Sequence, residues 1–218
     1  MNLRNRKNII ITGANGQVGL EIFELLNVDF NIIPIVRSTQ QNQSKSSYFI
    51  CEDLSNKNEC EKTFNKIFEV YPKIDALINI AGGFDIGKPI ESQDWEKMFK
   101  INFQTMLNAT SCTLKNMKDN NGGKIINFGS VAGIDGMGMA GPYSASKAAV
   151  HNLSKTINLE SPPSVSSYVL VLSIINTKIN REAMPNSKFS EWISIKSISE
   201  KISSIVNNEE SDDLIYFD

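Results

Sequence analysis

Tyr143 and Lys147, in the run Tyr143-Ser144-Ala145-Ser146-Lys147, are spaced one helical turn apart on the same face. A free phenol has a pKa near ~10, too high to exchange protons readily at neutral pH. An ammonium beside it favours the phenolate, so the pair can give a proton to a substrate oxygen or take one back. Ser130 stands thirteen residues upstream, just past an apolar run. Its hydroxyl could hydrogen-bond the same oxygen and stabilise charge developing there. Farther upstream Asn102 is a polar residue in an apolar helical face with Met98, Ile101 and Met106. The YxxxK spacing alone is weak evidence. Its context makes it informative, because Ser130 lies just past a strand, at the carboxyl edge where ligands of parallel sheets bind. His151, the only histidine, lies two turns beyond Tyr143 and reads as a structural or interface residue. No partner completes a Ser/His/Asp triad.

A second constellation lies near the start of the chain. In Ile9-Ile10-Ile11-Thr12-Gly13-Ala14-Asn15-Gly16-Gln17-Val18-Gly19, three glycines fall where a strand ends and a helix begins. Gly13 permits the tight turn, Gly16 lets the backbone approach a pyrophosphate, and Gly19 allows close helix–strand packing. Free N–H groups at the helix start, with Asn15, Gln17 and Val18 around them, then face the phosphates of a dinucleotide. The acidic residue that would hold the ribose hydroxyl of NAD is missing; the second strand ends Val36-Arg37-Ser38 instead. A guanidinium there suits a 2′-phosphate, which favours NADP(H) over NAD(H). Asp53, followed by Leu54, is placed for the adenine edge.

The elements that must position these groups follow from periodicity. Strands are expected at Asn8–Thr12, Ile32–Val36, Tyr48–Cys51, Ala76–Ile80, Lys124–Phe128, Tyr168–Leu172 and Leu214–Phe217. Helices are expected at Gln17–Asn27, Glu59–Tyr71, Trp95–Lys118, Pro142–Glu160 and Ile198–Val206, with Pro142 opening one and Pro162–Pro163 following its end. Ser38–Ser47 reads as a polar loop, Gly129–Gly141 as a glycine-rich loop, and Ile174–Trp192 as an irregular segment. Strands alternating with helices make an α/β chain with a parallel sheet covered on both faces. No internal repeat or linker divides residues 1–218, so a single Rossmann-type domain is expected.

Composition narrows the functions. Of 218 residues 41% are hydrophobic and 21% charged, as in an ordinary globular protein. The formal net charge is −2 and the four arginines are scattered, which disfavours a nucleic-acid partner. Cys51, Cys60 and Cys112 have no CxxC spacing and read as idle thiols in a reducing cytosol, with no metal expected. The first apolar run is too short for a signal-peptide core or a membrane span, so a cytoplasmic location is expected.

Together the pieces resemble the short-chain dehydrogenase/reductase family. The matching residues are Thr12–Gly19, Asp53-Leu54, Asn79-Ile80-Ala81-Gly82, Asn102, Ser130, and Tyr143 with Lys147. The resemblance implies a doubly wound sheet of about seven strands in the order 3-2-1-4-5-6-7 and a tetrad of Asn102, Ser130, Tyr143 and Lys147. It adds Asn79, Ala81 and Gly82 to the cofactor contacts, has Lys147 bind the nicotinamide ribose, and has Asn102 hold a water linking Lys147 to solvent. It also implies a homodimer or homotetramer acting on a small-molecule carbonyl or imine. Two departures stand out. The middle glycine is displaced from the TGxxxGxG of the commonest short members, and Ser173-Ile174-Ile175-Asn176-Thr177 replaces the usual Pro-Gly after the sixth strand. Ile175 and Thr177 are the candidates there for the nicotinamide amide and phosphates, within a substrate loop of about 174–195. Ala81–Phe84, Lys147–His151, Asn180–Pro185, Phe189-Ser190 and Trp192 resemble dihydropteridine reductases, although those use an acidic residue where Arg37 stands and lack a serine at the Ser130 position. Three readings remain open: a carbonyl reductase, a pterin-type imine reductase, and a nucleotide sensor without turnover.

Overall fold

The first strand, β1 (Asn8–Thr12), buries Ile9, Ile10, Ile11 and Thr12. Such a run of β-branched residues suits a strand covered on both faces. The structure is a computed structural model describing residues 6–38 and 48–217. Six further strands follow: β2 (Asn31–Val36), β3 (Phe49–Ile50), β4 (Ala76–Asn79), β5 (Gly123–Phe128), β6 (Val165–Val171) and β7 (Leu214–Tyr216). All pair in parallel, in the order β3-β2-β1-β4-β5-β6-β7. The order reverses beside β1, and the crevice at that reversal opens at the carboxyl ends of the strands.

The helices are α1 (Gln17–Leu26), α2 (Lys57–Val70), α3 (Trp95–Phe99), α4 (Thr105–Asp119), α5 (Ala132–Asp135), α6 (Gly141–Glu160), α7 (Lys178–Ala183) and α8 (Ile195–Val206). Side chains alternate along each strand and so feed two cores. Ile9, Ile11 and Ile78 pack with Ile22 and Leu26 of α1 and Ile198, Ile202 and Ile205 of α8. Ile10, Leu77 and Ile125 pack on the other face with Phe64 and Ile67 of α2, Met117 of α4 and Ile157 of α6.

The boundaries move for local reasons. Asn56 accepts hydrogen bonds from the N–H groups of Asn58 and Glu59, so α2 starts at Lys57 rather than Glu59. Ser194 caps Ser197 and lets α8 begin at Ile195. β6 starts at Val165, three residues before the expected Tyr168. Its start is hidden in the sequence by Ser166 and by Ser167, a buried serine bonded to Ser154 and Asn127. The expected Trp95–Lys118 helix is interrupted at Lys100–Gln104 by a wider turn with i→i+5 bonding. The irregular segment Ile174–Trp192 contains α7, capped by Thr177, and the Gly129–Gly141 loop contains α5. Beyond Ser38 the polar loop to Ser47 lies outside the described residues. No helix among the described residues is long and apolar enough to cross a membrane.

Candidate active site

Helix α6 grips the end of β5 along one face. Its Pro142 lies in the first turn, where a missing N–H costs nothing. Lys147 Nζ donates to the Phe128 carbonyl at 2.6 Å. His151 Nε2, one turn on, accepts the Ser130 N–H at 3.1 Å. Further along, Asn127 Nδ2 reaches Ser154 Oγ at 3.4 Å. Tyr143 opens this face: Lys147 Nζ lies 5.8 Å from its ring centroid, and the Ser130 hydroxyl is near enough to its phenol to act on its proton affinity. The Ser130 oxygen also accepts the Ala132 N–H at 3.2 Å. Ser130, Tyr143 and Lys147 therefore converge at the carboxyl edge, as their spacing suggests.

The electrostatic balance differs from the sequence expectation. Burial pushes the Tyr143 phenol above its ordinary pKa, and the Ser130 hydroxyl only opposes that rise. Burial also draws the Lys147 ammonium down to about 8. Desolvation outweighs the expected pull toward phenolate, so Tyr143 stands as a protonated acid at neutral pH. The Phe84 and Tyr143 rings meet edge to face, with centroids 4.8 Å apart and planes at 86°.

Asn102 lies in the wide turn between α3 and α4. Its Oδ1 accepts the Gly83 N–H at 2.8 Å and its Nδ2 donates to Ser146 Oγ at 3.1 Å. Ser146 in turn donates to the Tyr143 carbonyl at 2.7 Å. The Asn102 carboxamide thus ties the loop after β4 to the first turns of α6. A Cβ on Gly82 would stand 2.6 Å from Asn102 Oδ1, which explains glycine there.

The dinucleotide candidates lie across the order reversal. Gly13 has φ +69°, and a Cβ there would come within 3.0 Å of the Ala81 backbone. A Cβ on Gly19 would be 2.2 Å from the Gly13 carbonyl oxygen, so the turn closes only with glycine at that position. Gly16 caps α1 without a side-chain bond, and no acidic residue occupies the first turn, so an anion could meet the helix N-terminus unopposed. Thr12 Oγ1 accepts the N–H groups of Ile80 and Ala81, both at 3.2 Å, and holds the end of β4 beside the turn. Arg37 and Ser38 are exposed at the end of β2, and Asn15 Nδ2 reaches the Ser38 carbonyl at 3.4 Å. A glycine cradle, an uncapped helix start and an exposed guanidinium together fit a phosphorylated dinucleotide.

The remaining candidates divide. Asp53 is held by Ser55 and pairs with Lys100 at 3.1 Å. The Ser55 hydrogen bonds, then Lys100, keep its carboxyl below the usual range. The Leu54 carbonyl accepts from Asn108. Asn79 is buried and turns inward, donating to Thr110 and to Asn127, so its side chain cross-links β4, β5 and α4. Val18 packs against the core, while Gln17 Oε1 lies 3.5 Å from the Ile179 N–H. Ile175 bridges to Ile193, and Thr177 caps α7. The loop above them is braced: Arg181 donates to Asn176 Oδ1 at 2.7 Å and lies over the Phe189 ring at 5.4 Å, and Phe189 packs on Trp192.

The comparisons with known proteins bear on the family and the fold. The family profile described as short chain dehydrogenase matches residues 7–188. The 3-oxoacyl-[acyl-carrier-protein] reductase FabG of Buchnera aphidicola subsp. Baizongia pistaciae is 30% identical over 201 residues, covering 87% of this chain and 81% of that protein. The ligand-free aldohexose dehydrogenase of Thermoplasma acidophilum superposes with a TM-score of 0.86 at 22% identity, covering 98% of this chain and 93% of that one. A Burkholderia cenocepacia short chain dehydrogenase in complex with NADP gives 0.84 at 21% identity, covering 98% and 89%. These two structural likenesses speak to the fold, and the profile match over most of the chain speaks to descent: the protein belongs to the short-chain dehydrogenase family.

Proposed function

We propose that this oxidoreductase uses NADP(H) to interconvert a small-molecule carbonyl and its alcohol, with Tyr143 as acid and base. The observation that carries the reading is the meeting of Tyr143, Ser130 and Lys147 at the carboxyl edge. Gly13, Gly16 and Gly19 would hold the pyrophosphate, Arg37 the 2′-phosphate, and Lys147 the nicotinamide ribose. When bound, the dinucleotide supplies or accepts hydride. Tyr143 hands its proton to the carbonyl oxygen, and the Ser130 hydroxyl steadies the charge growing on that oxygen. Lys147, drawn down to about 8, can exchange a proton near neutral pH and so serves the phenol's reprotonation. The exposed Phe84 ring beside Tyr143 offers an apolar wall to the substrate. The same reading places the protein in the cytoplasm as a homodimer or homotetramer, without nucleic-acid or membrane partners.

The test is NADPH oxidation against 3-oxoacyl thioesters, simple ketones, sugars and a quinonoid dihydropterin. The thioesters come first because the Buchnera relative is a 3-oxoacyl reductase, and the pterin arm tests the imine alternative. Tyr143→Phe is expected to lower turnover at least ~100-fold while NADPH still binds. Full turnover in that variant would remove Tyr143 from the reaction. NADPH binding without turnover on any of these substrates would favour a sensor.

A further inference from the structure

The serine that faces the phenol sits on a peptide the sheet cannot secure. The Gly129 N–H donates to Leu170 and the Val131 N–H to Leu172, both on the β6 side. The β4–β5 ladder ends at Asn79 and Asn127, leaving no strand carbonyl for the Ser130 N–H between them. A buried N–H without an acceptor is costly, so a side chain must supply one. His151 does so from α6, with its Nε2 3.1 Å from the Ser130 nitrogen. To accept there, Nε2 must carry no proton, which places the ring proton on Nδ1. The ring is closely seated: a Cβ on Gly129 would stand 2.4 Å from both His151 Nε2 and Val169 Cγ1. Only glycine at 129 lets the imidazole reach the backbone.

We propose that His151 is a positioning residue for the reaction, its neutral imidazole fixing the Ser130 peptide and thereby aiming the Ser130 hydroxyl at Tyr143. His151 is buried and spends its acceptor on the backbone, so it does not itself exchange a proton with substrate. Its effect reaches the substrate only through Ser130. This rests on the proposed role of Ser130 and Tyr143 in carbonyl reduction.

The experiment compares His151→Leu and His151→Gln, each alone and combined with Ser130→Ala, for kcat and NADPH affinity. It adds the imidazole nitrogen shifts of the otherwise unmodified protein. His151→Leu is expected to lower kcat about tenfold or more, because a misplaced group costs rate before it costs binding. NADPH affinity should hold within about twofold, and His151→Gln, whose carboxamide oxygen can accept the N–H, should recover most of the loss. With Ser130→Ala present, His151→Leu should cost no more than about twofold, since coupled residues lose their effect together. An equal loss in the Ser130→Ala background, or glutamine no better than leucine, would overturn the proposal. The nitrogen shifts need no substrate and do not depend on the reading of Tyr143. A protonated Nε2 at neutral pH overturns the positioning role whatever Tyr143→Phe shows, and an unprotonated Nε2 with protonated Nδ1 supports it.

Discussion

At the end of β2 the exposed side chain of Arg37 is placed to bear on the choice between two dinucleotides. A guanidinium can take a 2′-phosphate through charge-assisted hydrogen bonds, whereas a carboxylate would repel it and accept the ribose hydroxyl instead. Arg37→Asp is therefore expected to weaken NADPH binding about 10- to 100-fold and to improve NADH, the scale of a lost charged hydrogen bond. Cofactor fluorescence titration measures it, and an unchanged preference would exclude Arg37 as the determinant. Residue type and spacing suffice to single out Tyr143, Lys147 and Gly13 as candidates, and the structure brings the first two together and gives the third a positive φ. The state of Tyr143 was not legible in this way. It depends on how deeply α6 packs, and burial reverses the expected shift toward phenolate. The partners of Asn79 were equally hidden, since they stand 31 and 48 residues away. The bond from the Ser130 N–H to His151 depends likewise on how α6 lies across β5.

Among the elements, the break between α3 and α4 was the least legible. A wider turn inserts one residue into a helix without removing its apolar spacing, so Trp95–Lys118 reads as continuous. Asn102 reads in the sequence as a polar residue in an apolar face, whereas its partners come from distant elements. In the structure it bonds the Gly83 N–H and the Ser146 hydroxyl, joining three elements at the rim of the site. Asn102→Ala removes both bonds and strands the Gly83 N–H. Losses of this kind cost about 1–3 kcal/mol per unsatisfied group. In a chain of this length that is expected to lower Tm by about 2–12 °C. Thermal unfolding measures the change; a Tm within one degree of the parent would mean the tie does not stabilise the fold. The strand order, by contrast, comes from the family resemblance and not from spacing, and the seven strands take the positions that resemblance implies.

Across the whole molecule, Lys147 sets stability against chemistry. Its ammonium meets a backbone carbonyl at 2.6 Å, and among the described residues no carboxylate pairs with it. Burial then lowers its pKa from about 10.5 to about 8. Between those two values the unfolded chain binds more protons than the folded one, so this residue makes stability rise with pH across that window. Below about pH 8 both states are protonated and the burial penalty is present in full. Lys147→Met fills similar space without a charge. At pH 7 it is expected to stabilise the protein by about 1–3 kcal/mol, because the penalty disappears while only one hydrogen bond is lost. Turnover should fall sharply in the same variant. Denaturant unfolding at pH 7 and at intervals up to pH 10.5 tests the sign: the gain should be largest at pH 7 and shrink as the parent's lysine loses its proton. A methionine variant less stable than its parent at pH 7 would show that the carbonyl contact outweighs the desolvation, and that the charge is held for the fold as well as for the reaction.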